Sequence, residues 1–353
     1  MTVKNNNVIV RKHSLLDSSS KLEHLHTFRN MPVSNGCTTN SKSDDIVMDQ
    51  IWDICKNTGL VQLRELAPLD LVYKFPHNDG VGNTWENHDL ELCNFIDEMN
   101  LKKVFEIGAG SGRLGKLYLS KNTTNHWTAL EPNHSYDEIV MPNLVHLREW
   151  FDLNYKIDKH YDAIIHSHVL EHSYDPTSFL KSIYEQIDND TLHIFSIPNL
   201  LYFIKKKFTN GLNFEHTVFL TEKIVDNILN TVGFEIVKKH YYHEFPCIFY
   251  VTKKSEPKEV TYSKSIYQEN KKVFLDYVDG QFEDIKKLND KISKFDGEIF
   301  LFGGHIWAHY LIFNGLRVDK ISCLLDNSKM KQGKRLYGTS LKVKSPKILK
   351  GRE

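Results

Sequence analysis

This sequence of 353 residues has no excess of charge, few cysteines and no long apolar run. Lys and Arg together number 45, as do Asp and Glu, so the formal net charge is +0. A balanced chain lacks the long-range positive field that attracts nucleic acids and membrane surfaces, and we expect neither partner. Five widely spaced cysteines indicate reduced thiols rather than a disulfide framework. With no secretion signal in its first ten residues, we expect a cytoplasmic protein.

The remaining composition is that of an ordinary globular protein. Hydrophobic residues make up 41% and charged residues 25% of the chain, whose length allows two or three domains. Residues 1–48 are rich in Asn, Ser and Thr, which predicts loops and little core. A helix-like run over 46–52 and a short strand over 60–63 follow. Composition changes near 85 and 258 predict three domains, 1–85, 86–258 and 259–353.

The middle of the chain alternates short apolar segments with helical ones. This rhythm predicts an α/β fold, a seven-stranded, Rossmann-like sheet flanked by helices. The predicted strands cover residues 103–107, 126–130, 144–147, 161–166, 191–197, 234–241 and 248–252. An amphipathic helix over 86–99 precedes them. A long polar helix over 262–294 follows, and then a small βαβ unit formed by strands 299–302 and 321–325 around helix 306–314.

A glycine-rich turn gives the strongest functional signal. The segment Glu106-Ile107-Gly108-Ala109-Gly110-Ser111-Gly112 places alternate glycines after a predicted strand, where their backbone can approach a ligand closely. The spacing E-x-G-x-G-x-G suits a nucleoside without the pyrophosphate grip of dinucleotide folds. Glu131 and Pro132 end the next strand, 25 residues after Glu106, where a carboxylate can accept hydrogen bonds from both ribose hydroxyls.

This pattern resembles the class I S-adenosylmethionine-dependent methyltransferases. The resemblance implies S-adenosylmethionine as cofactor, held by Glu106, Gly108, Gly110, Gly112, Glu131, Pro132, His166 and Ser167. It continues into Tyr161-Asp162-Ala163-Ile164-Ile165-His166-Ser167-His168-Val169-Leu170-Glu171-His172, whose counterpart in the family ends beside the methionine part of the cofactor. Read from the residues alone, these histidines and Glu171 equally well cap helices or satisfy one another. We expect no metal here, because His168 and His172 lack a further set of ligands.

The flanking regions resemble a narrower family, the sugar C-methyltransferases that act on nucleotide-linked deoxysugars. The matching stretches are Lys21-Leu22-Glu23-His24-Leu25, Met31-Pro32-Val33, Cys55-Lys56-Asn57-Thr58-Gly59, Thr84-Trp85-Glu86-Asn87-His88, Phe302-Gly303-Gly304 and Leu325-Asp326-Asn327-Ser328-Lys329. The family has a zinc-binding N-terminal domain, but its cysteine pairs are missing here. Tetrahedral zinc needs four thiolate or imidazole ligands. We therefore expect a domain without metal, in which Cys37 and Cys55 are small buried side chains.

The resemblance also implies a catalytic pair, Glu215 and His216. In the family the histidine removes a proton from the carbon next to a keto group, and a base of near-neutral pKa suits that step. Glu215 would orient it. Asn213 stands where the family has tyrosine, and capping or substrate positioning is an open alternative for His216. We expect Asn213, His77 and Asn78 to contact the substrate.

Two alternatives to sugar C-methylation stay open. The acceptor could be an oxygen or nitrogen of a sugar or other small metabolite, or the chain could be a scaffold that keeps the methyltransferase fold without activity. The basic run after Lys329 could receive a substrate diphosphate or be a solvated surface. The sequence does not fix the oligomeric state, the acceptor atom or the stereochemistry.

Overall fold

The alternation of strands and helices expected in the middle of the chain is present in the computed structural model, which describes residues 8–74, 83–133 and 139–351. The strands are β1 (Ile9–Val10), β2 (Leu22–Pro32), β3 (Cys37–Thr38), β4 (Val47–Cys55), β5 (Val61–Leu63), β6 (Glu65–Leu66), β7 (Lys103–Ile107), β8 (His126–Leu130), β9 (Leu144–Leu147), β10 (Ala163–Ser167), β11 (Leu192–Pro198), β12 (Phe234–Tyr242), β13 (Cys247–Lys254), β14 (Ile299–Phe302), β15 (Ile321–Leu325), β16 (Arg335–Leu336) and β17 (Val343–Lys344). The helices are α1 (Leu69–Val72), α2 (Asn83–Asp97), α3 (Arg113–Lys121), α4 (Pro176–Tyr184), α5 (Leu200–Lys205), α6 (Glu222–Val232), α7 (Lys264–Lys294) and α8 (Ile306–Phe313), with 3-10 turns at Lys42–Asp44, Leu170–His172 and Pro346–Leu349.

The chain divides into two units, and each is formed by more than one segment. One consists of Met1–Asp79, Phe203–Phe219 and Ser263–Glu353, and the other of Gly80–Tyr202 and Leu220–Tyr262. The unit ends at 79/80 and 262/263 lie near the predicted boundaries at 85 and 258. The two end regions, which were predicted as separate domains, lie in the same unit.

The second unit, which we call the sheet unit, is built on the predicted seven strands. Their order among the described residues is β12-β13-β11-β10-β7-β8-β9. Strands β7 to β11 pair in parallel, and β13 runs antiparallel to both β11 and β12. The strand order reverses between β7 and β10, and in open α/β sheets ligands bind at such a point, beyond the carboxyl ends of the strands.

The core of the sheet unit explains why these segments fold as predicted. Strand side chains such as Val104, Ile165 and Phe249 are buried together with residues of α2 and α3. Helix α4 begins at Pro176 and is capped by Asp175, whose Oδ1 accepts the N–H of Ser178 at 3.0 Å. Helix α6 ends at Gly233, which has a φ of 112°. These are the ordinary start and stop signals of helices.

The other unit, which we call the flanking unit, contains the sheets β2-β4-β5 and β14-β15-β17. Its N-terminal and C-terminal segments are joined by backbone and side-chain bonds. Strand β3 pairs with β16, and the guanidinium of Arg335 donates to both carboxylate oxygens of Asp45 at 2.6 and 2.8 Å. Of the described helices, none is both long and apolar enough to span a membrane.

Two predictions for the N-terminal region were wrong. Residues 1–48 contain the 11-residue strand β2, and Phe28 and Val33 are almost fully buried. The helix-like run over 46–52 lies in strand β4, where Met48, Gln50 and Trp52 all face the interior. A buried glutamine interrupts the apolar alternation that marks a strand, so the pattern was misread.

Candidate functional site

The glycine-rich loop after β7 is tied to the end of β8. The N–H groups of Gly108 and Ala109 donate to the carbonyl of Leu130 at 2.8 and 3.1 Å. The N–H of Gly110 donates to Oε2 of Glu131 at 3.0 Å, while Oε1 of Glu131 accepts from Asn133 at 2.8 Å. A carboxylate has about four acceptor positions, so Glu131, which is half-buried, keeps capacity for further donors.

Each glycine of the loop has a left-handed φ, but their surroundings differ. A Cβ at Gly108 would lie 2.5 Å from Cγ2 of Val169, and one at Gly112 would lie 2.7 Å from Cε1 of His146. A Cβ at Gly110 would meet no atom of the described residues within 4 Å. Packing thus requires glycine at the first and third positions, whereas the backbone at Gly110 borders open space beside the Glu131 carboxylate. A nucleoside with vicinal hydroxyls fits this arrangement.

Glu106 is placed differently from Glu131. Its side chain is 3% exposed, and its Oε2 accepts the indole N–H of Trp127 at 2.8 Å. Burial raises the pKa of Glu106 to about 8, and the carboxylates of Asp89 and Glu131 add to this rise. Sequence reasoning missed Trp127. In the register of β7 and β8, Val104 lies opposite Trp127 and Glu106 lies opposite Ala129. The side chains of Glu106 and Trp127 therefore lie on the same face of the sheet.

Ser167 and His166, at the end of β10, point to opposite faces of the sheet. Ser167 shares a hydrogen bond of 2.8 Å with Ser196 and is half-buried. His166 is fully buried, stacks on Phe195 and lies 3.0 Å from His193 through the two Nε2 atoms. Burial holds the pKa of His166 well below its usual value. The structure therefore places His166 in the core, and its role toward the cofactor stays a prediction.

The predicted catalytic pair lies in the flanking unit. Glu215 is buried and accepts a hydrogen bond of 2.9 Å from Asn35, and His216 is half-buried. Oδ1 of Asn213 accepts the N–H groups of Glu215 and His216 at 2.7 and 3.0 Å, and its amide donates to the carbonyl of Asn210. Asn213 is therefore engaged with the local backbone, and its expected contact with the substrate stays a prediction.

Val218 forms an isolated antiparallel bridge with Gln62 of β5. Leu63 donates its N–H to the carbonyl of Thr217 at 2.8 Å, and Phe219 donates to Val61 at 2.9 Å. The buried guanidinium of Arg11 donates to the carbonyl and hydroxyl of Thr217 at 2.9 and 3.0 Å. The backbone next to His216 is therefore held firmly.

Other predicted residues are located as follows. Pro132 is half-buried directly after Glu131. His77 and Asn78 lie outside the described residues. Cys37 and Cys55 are buried, as the sequence favoured; the thiol of Cys37 donates to the carbonyl of Gly304 at 3.2 Å, and Sγ of Cys55 accepts the N–H of Thr58 at 3.4 Å.

Comparison with known proteins locates one family within the chain. The family model described as a methyltransferase domain matches residues 84–239, and no curated protein matches the chain. Among solved structures, the chain is similar to 1,6-didemethyltoxoflavin-N1-methyltransferase from Burkholderia thailandensis, with 13% identity, a TM-score of 0.38 and coverage of 49% of this chain and 82% of that one. It is also similar to human N-acetylserotonin methyltransferase, with 14% identity, a TM-score of 0.37 and coverage of 48% and 57%.

The family match and the sheet order agree on the same segment of the chain. The matched residues contain the glycine loop, Glu131 and strands β7 to β11 in the expected parallel arrangement. Residues 84–239 therefore match the methyltransferase domain family, and the sheet that they form has the Rossmann-like strand order expected for it.

Proposed function

We propose that this protein methylates a carbon of a nucleotide-linked keto-deoxysugar. The observation that carries the cofactor part is the Gly110–Glu131 hydrogen bond, which sets a carboxylate with spare acceptor capacity beside open space at the carboxyl ends of two parallel strands. Glu131 would bind the ribose hydroxyls of the cofactor. S-adenosylmethionine, when bound, supplies a methyl group on a positively charged sulfur, which is strongly electrophilic.

The protein must then provide a base, because carbon next to a ketone is a poor nucleophile until it loses a proton. We assign this role to His216, whose imidazole has a usual pKa near neutrality. In this role His216 takes the proton from the carbon next to the keto group and later releases it to solvent. Its support is the rigid backbone around it, which Asn213 holds on one side and Arg11, through Thr217, on the other. A preorganised base needs no rearrangement when the proton moves.

Cofactor binding is tested by titrating S-adenosylhomocysteine into the full-length protein in a calorimeter. We expect binding that is lost or weakened at least tenfold in Glu131→Ala. The matched control is Asp162→Asn. Oδ2 of Asp162 accepts the N–H groups of Lys102 and Lys103 at the amino ends of β7 and β10, the end of the sheet opposite the glycine loop. The control should bind like the wild type. Equal loss in both variants, or no binding by the wild type, would contradict the cofactor site and favour the scaffold alternative.

The acceptor is tested with deuterium. Incubated with a nucleotide-linked keto-deoxysugar in deuterated water, the protein should incorporate deuterium at the carbon next to the ketone. His216→Ala should lose this exchange but keep S-adenosylhomocysteine binding, whereas the exposed His243→Ala should keep both. Methyl transfer without exchange, or without need for a ketone, would identify an oxygen or nitrogen acceptor instead.

A further inference from the structure

The sheet unit brings together three metal-ligating side chains that are far apart in sequence. His88 lies in helix α2, His168 directly follows strand β10, and Cys247 begins strand β13. One ring nitrogen from each histidine and the sulfur of Cys247 lie within 4.8 Å of one another. We propose that these three residues bind a zinc-type divalent metal ion.

The distances suit such an ion. Nε2 of His168 lies 3.3 Å from Sγ of Cys247. In a tetrahedral zinc site, bond lengths of about 2.0 Å to nitrogen and 2.3 Å to sulfur place the two ligand atoms roughly 3.5 Å apart. The rings of His88 and His168 have centroids 5.0 Å apart. A metal therefore requires only small side-chain adjustments.

The other nitrogens of the two imidazoles are already held by carboxylates. Nδ1 of His88 lies 3.1 Å from Oδ1 of Asp89, and Nδ1 of His168 lies 2.9 Å from Oε1 of Glu171. Histidines that bind metals commonly donate their second N–H to a carboxylate, which fixes the ring and leaves the first nitrogen as a ligand. Arg113 in turn bonds Asp89 at 2.5 Å. Both histidines thus have a carboxylate on one ring nitrogen, while Nε2 of His88 lies 3.4 Å from Oγ of Ser196, a contact that the metal would replace.

The burial of the cluster also favours a metal. His88 and Cys247 are at most 1% exposed, whereas the side chain of His168 is 12% exposed. His168 has a φ of 54°, a left-handed conformation that is uncommon outside glycine. Trp85 and Phe245 pack against the His168 ring, with centroid distances of 5.1 and 5.7 Å. The apolar surroundings strengthen the attraction between a thiolate and a cation.

The ligand types determine which metal fits. Two imidazoles and a thiolate favour zinc, or cobalt in its place, over magnesium and calcium, which prefer oxygen ligands. Binding requires Cys247 as a thiolate and both imidazoles in their neutral form, so the protons that these three ligands carry are released to solvent when the ion binds. Three protein ligands leave one tetrahedral position open, as in catalytic rather than structural zinc sites. His168 directly follows the carboxyl end of β10, and ligands of α/β sheets bind at the carboxyl ends of the strands.

Cobalt(II) is the probe, because tetrahedral cobalt absorbs visible light and its bond to a thiolate adds a near-ultraviolet charge-transfer band. After removal of metal with a chelator, the full-length protein should bind one cobalt ion with both absorptions, and zinc should displace it. Cys247→Ser should lose the charge-transfer band, and His168→Gln should weaken binding at least tenfold. Cys93→Ser is the matched control, because Cys93 is equally buried and lies in the same helix as His88.

The outcomes separate clearly. A charge-transfer band in the wild type and in Cys93→Ser but not in Cys247→Ser supports the site, provided that circular dichroism shows each variant folded. If Cys247→Ser does not fold, the cobalt affinity of His168→Gln decides the outcome, because His168 is partly exposed and glutamine has a similar side-chain volume. No cobalt binding by the wild type, or unchanged binding in His168→Gln, would overturn the proposal.

Discussion

Glu106 makes the stability of this protein depend on pH in a way that can be measured. Its carboxyl group is buried against Trp127, and burial raises its pKa from 4.5 to about 8. A pKa raised in the folded state means that the folded chain retains a proton which the unfolded chain releases. The stability that this group contributes is therefore complete below about pH 4.5 and is lost as the pH rises through about 8.

The size of the effect follows from the shift. A difference of about 3.5 pKa units corresponds to roughly 5 kcal/mol at about 1.4 kcal/mol per unit. Glu106→Gln keeps the shape of the side chain and an acceptor for the Trp127 indole, but it cannot ionise. Relative to the wild type, the variant should gain free energy of unfolding progressively between pH 4.5 and 8, by up to this amount. Other titrating groups are common to both proteins and cancel.

The measurement is urea unfolding, followed by circular dichroism and tryptophan fluorescence, at half-unit intervals from pH 4.5 to 8.5. The control Glu185→Gln removes a carboxylate whose side chain is 62% exposed, so it separates the loss of a buried carboxyl group from the loss of a charge. Curves of stability against pH that run parallel for the wild type and Glu106→Gln would refute the reasoning. A gap that opens toward low rather than high pH would also refute it.

Three further predictions concern an ion pair, a tightly packed glycine and a side chain that caps the backbone. Arg335→Ala should lower the free energy of unfolding, measured with urea, by about 3–5 kcal/mol, because it leaves the Asp45 carboxylate buried without its charged partner. Asp45→Ala in the same background should recover part of that loss. Gly115→Ala should destabilise the folded protein by about 1–3 kcal/mol, although alanine has the better helix propensity, because its Cβ would lie 2.7 Å from Cδ1 of buried Trp127. A raised melting temperature would contradict this prediction. Asn213→Ala should cost about 1–3 kcal/mol through two lost backbone hydrogen bonds, whereas Asn213→Asp, which keeps the acceptor, should cost less.

Patterns local in sequence predicted most of the sheet unit. Strands β7, β8 and β9 have the predicted bounds, and α7 begins two residues later than expected. Strands β7 and β8 are mostly buried and α7 begins at a clear cap, Ser263, so their patterns are unambiguous. Strand β4 was misread as a helix. Its buried Gln50 hides the alternation of apolar and polar side chains that is typical of a strand.

The sequence predicted one contact of the candidate site, the proximity of the glycine loop to Glu131. Close backbone approach and a carboxylate at the end of a strand are both properties of short segments, and the binding of a nucleoside there stays a proposal. The core position of His166 could not be read in this way, since it depends on which face of β10 packs against the helices.

The sequence by itself determined the fold class and the reaction class of the central domain, because the periodicity and spacing that carry them are local. Only the tertiary structure decided that Cys37 and Asp45 pair with the C-terminal segment, and that His88, His168 and Cys247 meet. These residues lie in elements separated by 79 or more positions, and sequence separation carries no record of distance in space. Burial against strands from elsewhere in the chain, rather than any local preference, brings them together.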